Sequence, residues 1–469
     1  MEILETQFNN LIADFDLRVD PKFFSFAISN KYNFILSKKF PLVKLKDLIE
    51  PEYIVFLYEE GKVYNGLPTS SEYFDEDGVI LKYQIVTKED HPGRLKYKAK
   101  EGQILISSLK GAKAPATIIK EKYEGIVVSN GFYIFRVKEN KEISWKYVYY
   151  ILKSKLMRSI LDEHLSRGIG ISSYKQIDLL RIKIPLPLRE VQEKIVKQIE
   201  KIEDKIKEEK QKLVLLQEVI ERVFIKYGIK SSKFKEKEFE GFITDAFNIG
   251  RQKFLRCGPQ YRAFWDVHKG LLFEDKTNCK TVKLGSVIKL HKVKTLKKGV
   301  LDKEYILIEL EDIESGTGKI INKDRIVTEI GSDKTYFDES DLVTTKLRPY
   351  LGYTILNNPE LELIGTTELL PFKVQEGLAY PEYVKYLFLS YEYLEISNFL
   401  MYGKEHPRNH PLDIINIKIP LPDLETQKKI VSEIQKQEKI NEEAEQKINE
   451  IRDEINNIIF STIKNDKLN

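Results

Sequence analysis

The chain has 469 residues, 42% apolar and 32% charged, which suffices for several buried cores and excludes both wholesale disorder and one ordinary domain. No run approaches the ~18 consecutive apolar residues of a membrane span, the first ten residues lack a basic-then-apolar leader, and Cys257 and Cys279 alone cannot build a four-cysteine zinc site, so a cytoplasmic protein is expected. The net charge of +4 hides a polarisation: residues 251–300 carry 13 basic and 3 acidic side chains, residues 301–400 carry 9 and 19. Such a field is either an anion-binding face or two opposite faces that solvate the domain.

In chain order, residues 1–187 read as a mixed α/β domain. Apolar runs at 102–109 and 126–137 predict strands, and 145–161 predicts a helix with Tyr147, Ile151 and Met157 on one face. A strand-like Ile182-Lys183-Ile184 leads into Pro185 and Pro187, which force an extended exit. From Glu190 the period changes. Ile195, Ile199, Ile202 and Ile206 step by four and three, and after a break at Glu209 the stepping resumes at Leu213, Leu216, Ile220, Val223 and Tyr227. This heptad seam predicts one helix over 188–228. The polar stretch 229–240 reads as a linker. Residues 229–422 repeat the α/β pattern, with a strand near 305–310 and a helix over 381–401. Residues 423–469 form a second seam through Ile430, Ile434, Ala444, Ile448, Ile451, Ile455 and Ile458, with polar breaks at Gln437 and Asn441. Each helix of about 40 residues would be roughly 60 Å long.

The second half echoes the first. Residues 177–199 and 412–434 align at a constant offset with 13 of 23 positions identical, including Ile-Pro-Leu-Pro, Glu190 with Glu425, and Gln192 with Gln427. Weaker echoes pair Val43-Lys44-Leu45 with Val282-Lys283-Leu284, residues 103–107 with 341–345, Tyr147 with Tyr383, and Leu17-Arg18 with Leu255-Arg256. A period this long duplicates a whole domain with its connector. Two long amphipathic helices need partners. The natural one for each is the other, as an antiparallel coiled coil with a globular domain at either end; the alternative is that each folds back on its own domain.

Catalytic signatures are absent. There is no Gly-x4-Gly-Lys-Ser/Thr phosphate loop, Gly316-Thr317-Gly318 reads as a turn, and no Asp/Asn-Pro-Pro-Tyr/Phe tetrapeptide of amino-methyltransferases occurs. His406 and His410 have the spacing of a zinc pair, but Pro407 and Pro411 break the helix that would align them. Duplicated domains without catalytic residues suggest a binder.

The repeated Ile-Pro-Leu-Pro, Gln192/Gln427 and heptad blocks, in a domain–helix–domain–helix order, resemble the specificity (S) subunit of type I restriction–modification systems over essentially the whole chain. Arg18, Asp20 and Pro21 resemble a common segment near the start of family domains, although Gly258 stands where Asp20 would recur. Gly102-Gln103-Ile104-Leu105 resembles the family's Gly-Asp-Ile-Leu strand, with Gln103 replacing the acid and Asp341 keeping it in the second copy. The resemblance implies two DNA target-recognition domains, 1–187 and 229–422, separated by conserved helices at 188–228 and 423–469. It implies a non-catalytic subunit that reads a bipartite duplex target with a nonspecific spacer. Two methyltransferase subunits and restriction/translocase subunits would assemble on it. S-adenosylmethionine, ATP and Mg would be bound by those partners, and no cofactor by this chain. A type IIB specificity subunit and a non-DNA coiled-coil adaptor are the alternatives.

DNA contact calls for Lys and Arg on phosphates and for polar side chains at base edges, in loops beside strands. The candidates in the first domain are Ser107, Ser108, Lys110 and Lys113, with Arg167, Ser172, Ser173, Tyr174 and Lys175 before the proline exit. The second domain offers Lys346, Arg348 and Tyr350, matched by Lys404, Arg408, Asn409 and His410. A basic strip of Lys292, Lys294, Lys297 and Lys298 adds to them.

Overall fold

The computed structural model describes residues 40–464 except 92, 113–115, 141, 166–171, 237–257, 274–276, 292–293 and 404. The predicted echoes around Asp20 and Arg256, and residues 237–240 of the predicted linker, lie outside the described residues; the linker's start is not free, since Ile229 and Lys230 are buried and Lys230 pairs with Glu221 and Glu392. The chain divides into two compact units, Met1–Lys210 with Gln446–Asn469, and Gln211–Glu445. Each unit therefore takes a piece of both helical regions.

The first unit holds strands β1 (Leu42–Lys44), β2 (Ile49–Pro51), β3 (Tyr64–Leu67), β4 (Gln84–Val86), β5 (Leu95–Lys98), β6 (Ile104–Ser107), β7 (Ala116–Ile118), β8 (Val127–Ser129), β9 (Phe132–Val137) and β10 (Lys183–Pro185). They form sheets ordered β2-β9-β6-β7 and β4-β3-β8-β5 and a β1–β10 pair. All four β6 residues are buried because both faces are covered. Ile104 and Ile106 face a core shared with the helices, and Leu105 faces a second core with Val128 and Ile134. A strand covered on both sides reads as an unbroken apolar run, as this one does.

The second unit holds β11 (Lys280–Lys283), β12 (Ile288–Leu290), β13 (Thr295–Leu296), β14 (Gly299–Ile308), β15 (Ile326–Ile330), β16 (Lys334–Tyr336), β17 (Leu342–Thr345), β18 (Thr354–Leu356), β19 (Leu363–Thr366), β20 (Leu369–Val374) and β21 (Lys418–Leu421). The order β12-β20-β17-β18 repeats the β2-β9-β6-β7 sheet, and β11–β21 repeats β1–β10. The equivalence extends to single bonds. Leu45 N donates to Ile182 O and Leu284 N to Ile417 O, each at 2.8 Å.

Helices depart from expectation where a side chain caps the backbone. The predicted helix over 145–161 splits into α1 (Trp145–Lys153) and α2 (Lys155–Ser159), continued by a wider turn over Ile160–Leu165. Ser154 starts α2, its Oγ accepting from Met157 N at 3.2 Å and donating to Ile151 O at 2.7 Å. The helix predicted over 188–228 is likewise two, α3 (Arg189–Lys210) and α4 (Leu216–Lys226), with residues 211–215 not helical. In the second unit α5 (Pro381–Phe388) and α6 (Tyr391–Leu400) meet at Ser390, which caps in the same way, accepting from Tyr393 N at 3.3 Å and donating to Leu387 O at 2.8 Å. The distal region is one helix of 41 residues, α7 (Leu424–Lys464).

Nothing in the sequence of 211–215 breaks a helix; its partner does. Asn441 of α7 accepts from Val214 N at 3.3 Å and donates to Val214 O at 2.7 Å, and Gln437 donates to Lys212 O at 3.4 Å. The polar interruptions of the second seam satisfy the backbone that the first leaves open. Within the second unit α4 runs antiparallel to the start of α7, Val214 meeting Asn441 and Lys226 meeting Glu433. Within the first, Lys210 and Arg452 share Asp77, while Ile195 and Ile199 share a core with Ile459.

The motif that revealed the repeat is a structural lock. Gln192 is fully buried; its Oε1 accepts from Ser144 N at 2.8 Å and its Nε2 donates to Glu142 O at 2.9 Å and Pro187 O at 2.7 Å. Gln427, also fully buried, accepts from Tyr380 N at 3.0 Å and donates to Leu378 O at 3.0 Å and Pro422 O at 2.9 Å. Tyr147 and Tyr383 donate to Pro185 O and Pro420 O, both at 2.9 Å. Only an amide has both the acceptor and the two donors that each lock uses.

Candidate nucleic-acid interface

In each unit the structure joins the two loop sets that the sequence singled out separately. In the first, Ser108 N donates to Gly131 O at 3.0 Å, Lys110 N to Ser172 O at 2.9 Å and Tyr174 N to Ser108 O at 3.2 Å. Leu109 and Ser173 form an isolated bridge. In the second, Lys346 N donates to Glu368 O, Arg348 N to Pro407 O and Asn409 N to Lys346 O, each at 2.9 Å, and Leu347 bridges Arg408. Three segments thus cross in the same way. They are the loop after β6 or β17, the turn before β9 or β20, and the segment leading to the proline exit.

Side chains within this crossing differ in accessibility. Ser107 is buried, its Oγ accepting from Leu109 N at 3.3 Å. Ser108 Oγ donates to Gly131 O at 2.8 Å. Tyr174 is buried; its hydroxyl donates to Ser107 O, and its own carbonyl accepts from Tyr133 OH at 2.5 Å. Burial pushes the Tyr174 phenol well above its usual range, so it stays a neutral donor that pins the crossing. Lys110, Ser173 and Lys175 are exposed and Ser172 is half-buried. Lys113 and Arg167 lie outside the described residues.

The second crossing is charged. Arg408 Nε and Nη2 donate to the two Glu368 carboxylate oxygens at 2.9 and 2.8 Å, and Nη1 donates to His406 O at 2.9 Å. Lys346 Nζ is 3.9 Å from the same carboxylate. The Arg408 hydrogen bonds hold the Glu368 carboxyl below its ordinary range against partial burial, and the Lys346 charge adds to them. Asn409 is buried, and neither of its amide atoms has a partner among the described residues. His410 Nδ1 accepts from Leu412 N at 3.1 Å, capping the helix Pro411–Asn416. Arg348 is exposed in the left-handed region at φ 47°, with exposed Tyr350 two residues on. Lys404 lies outside the described residues.

The basic strip is partly cancelled in space. Lys297 Nζ lies 2.8 Å and Lys294 Nζ 3.8 Å from carboxylates of Asp333 and Asp302, while Lys298 N donates to Asp333 at 3.0 Å. Lys292 lies outside the described residues. Part of the charge polarisation read along the chain is therefore neutralised within the domain. Sequence reasoning missed Gly131 and Glu368. Aligning the repeat through Phe132 and Leu369, which pair with Ser107 and Thr345 in their sheets, would have found both.

Among the described residues no helix is long and apolar enough to cross a membrane. A family profile described as "Type I restriction modification DNA specificity domain" matches residues 38–218 and again 276–453. The chain belongs to this family, as a specificity subunit carrying two such domains in tandem. Members of the family are generally non-catalytic. No curated protein matches the sequence. Among solved structures, the chain resembles one described under "Structural basis underlying complex assembly and conformational transition of the type I R-M system". The match is 16% identical, covers 92% of this chain and 100% of that one, and has a TM-score of 0.42. It also resembles the HsdS subunit from Thermoanaerobacter tengcongensis (14% identity, 92% and 98% covered, TM-score 0.35). A third match is the type I S subunit from M. genitalium (14% identity, 91% and 97% covered, TM-score 0.41).

Proposed function

We propose that each unit reads one half of a bipartite duplex target through its three-segment crossing, and that the half-sites differ. The observation that carries this reading is that one backbone crossing, hydrogen bond for hydrogen bond, presents Ser108, Gly131 and Ser173 in the first unit and Lys346, Glu368 and Arg408 in the second. A shared framework with exchanged polar side chains is what two recognition modules of different sequence preference require. In the first unit Lys110, Ser173 and Lys175 contact DNA, with Ser107 and Tyr174 supporting them. In the second, Lys346, Arg348 and Arg408 do, with Tyr350 beside them. Two methyltransferase subunits bind the helical regions, restriction/translocase subunits join them, and those partners carry S-adenosylmethionine, ATP and Mg. The chain itself neither cuts nor methylates.

The test uses the chain with its methyltransferase subunit and sequences the sites methylated in a random-sequence plasmid library. Arg408→Ala and Lys346→Ala should alter the second half-site only. A base-reading side chain should cost roughly 1–3 kcal/mol at one position, whereas a phosphate contact should weaken all sequences and reduce the salt slope by about one. Half-sites and affinities unchanged in both variants would remove the second crossing from the interface.

A further inference from the structure

We propose that Glu368 is a positioning and specificity residue: it orients Arg408 for one base contact and withholds Arg408 and Lys346 from indiscriminate phosphate binding. The inference rests on the DNA reading of the second crossing. Reading one base edge needs a guanidinium held in one fixed orientation. Here the guanidinium is held on one edge by both carboxylate oxygens and at Nη1 by the His406 carbonyl. The planar fork leaves its remaining N–H groups pointing in fixed directions, which is the preorganisation base recognition needs. The same carboxylate lies 3.9 Å from Lys346, so one acid offsets two cations. Glu368 is anchored through its own backbone, its carbonyl accepting from Lys346 N at 2.9 Å.

The first unit supplies an internal control. Gly131 occupies the equivalent position, so the first crossing carries no carboxylate at that point, and a Cβ there would come within 2.8 Å of Thr69 Cγ2, which would have to shift. Its crossing has Ser108 and Ser173 where the second has Lys346 and Arg408, so neither of those two positions carries a cation. The acid occurs with the two cations and is missing without them.

Two variants separate charge from orientation. Glu368→Gln removes the charge and one acceptor; Glu368→Asp keeps the charge but shortens the reach. The probes are a random-sequence duplex for affinity across a salt series, and the methylated library with methyltransferase subunit present for base preference. Glu368→Gln is expected to bind the random duplex several-fold more tightly, with a salt slope steeper by about one. It should also lose about tenfold of the preference at one or two positions of the second half-site, leaving the first intact. Glu368→Asp should keep wild-type affinity for the random duplex and still lose part of the preference, which a merely structural role would not split this way. The proposal is overturned if Arg408→Ala changes the second half-site while both Glu368 variants leave it unchanged, or if Glu368→Gln weakens binding to the random duplex. If Arg408→Ala and Lys346→Ala also change nothing, the DNA reading of the crossing fails, and this inference with it.

Discussion

The two units differ most where they grip their helices, although the gripping element is the same. In the first unit a tight turn bridged by Phe74 and Ile80 presents Asp75, Glu76 and Asp77; in the second the turn bridged by Ile313 and Ile320 presents Thr317 and Lys319. Both turns need a left-handed glycine against a strand. A Cβ on Gly78 would lie 2.5 Å from Ala116 O, and one on Gly318 would lie 1.7 Å from Thr354 O. Yet the charge differs, three acids in the first turn against one acid and one base, Glu314 and Lys319, in the second. The acidic turn holds Lys210 of α3, 2.7 Å from Asp75, and Arg452 of α7, at 3.0 and 2.9 Å from Asp77. The other turn accepts from Gln217 Nε2 at Gly316 O (2.6 Å) and sets Lys319 3.6 Å from Glu442 and Glu445. Backbone geometry defines the joint in both, and the side chains that meet the helices differ in charge.

The largest test of that shared framework is the buried glutamine. Gln192→Leu and Gln427→Leu each strand one backbone N–H and two carbonyls without partners, at a cost on the order of 3 kcal/mol. The two variants should be equally damaging, each in its own unit, as hydrogen exchange would map. A loss under about 1 kcal/mol in either would mean that the repeated motif is not the lock its hydrogen bonds describe.

The glutamines were legible early as a repeated motif, but the lock they form was not, because Ser144, Glu142, Tyr380 and Leu378 reach them from distant sequence. Gln192 and Gln427 stand at fixed distances from prolines that set an extended exit, so the repeat exposed them. The break between α3 and α4 was legible only as the interrupted stepping at Glu209 and not as a helix end, since Gln211-Lys212-Leu213-Val214-Leu215 contains no glycine or proline. The cause sits at Asn441, more than two hundred residues away, where the sequence showed a polar interruption without its purpose. Glu368 was hidden for a similar reason. A turn acid is ordinary until the sheet brings it to Arg408, forty residues later. Ser154 and Ser390 carried a weak signal, a capping residue inside an apolar run, which the hydrophobic period overrode.

The next test concerns the acidic joint. Burial would raise the Asp77 carboxyl, but the hydrogen bonds and charges of Arg452 and Lys210 outweigh it and bring it down to about 2 from 3.8. A folded pKa below the unfolded one contributes stability that is complete above the unfolded value and lost as pH falls through the folded one. Asp77 should therefore contribute about 2 kcal/mol at neutral pH, declining between about pH 4 and 2. Asp77→Asn should lower the neutral-pH stability of the first unit by that amount and flatten its acid titration in the same window. An unchanged acid limb in denaturant titrations at successive pH values would show that the charges at this joint are screened.

The smallest expected effect is at the Lys319 joint, and it makes the comparison quantitative. Lys319 and its partners Glu442 and Glu445 are each about half exposed, with side-chain exposures of 46%, 61% and 50%. Pairs this open are hydrated and screened, so Lys319→Ala should change stability by less than about 0.5 kcal/mol and by less still in high salt. Charge reversal is the sharper variant. Lys319→Glu sets three carboxylates together where one cation stood, yet its cost should stay under about 1 kcal/mol, because water separates them. Asp77→Lys places a third cation beside Lys210 and Arg452, at a site where Arg452 is only 18% exposed, and should cost more than Asp77→Asn. Measuring both reversals by chemical denaturation, with hydrogen exchange assigning each loss to its unit, decides the point. Equal costs would mean that the acidic turn is no more buried in solution than the Lys319 turn.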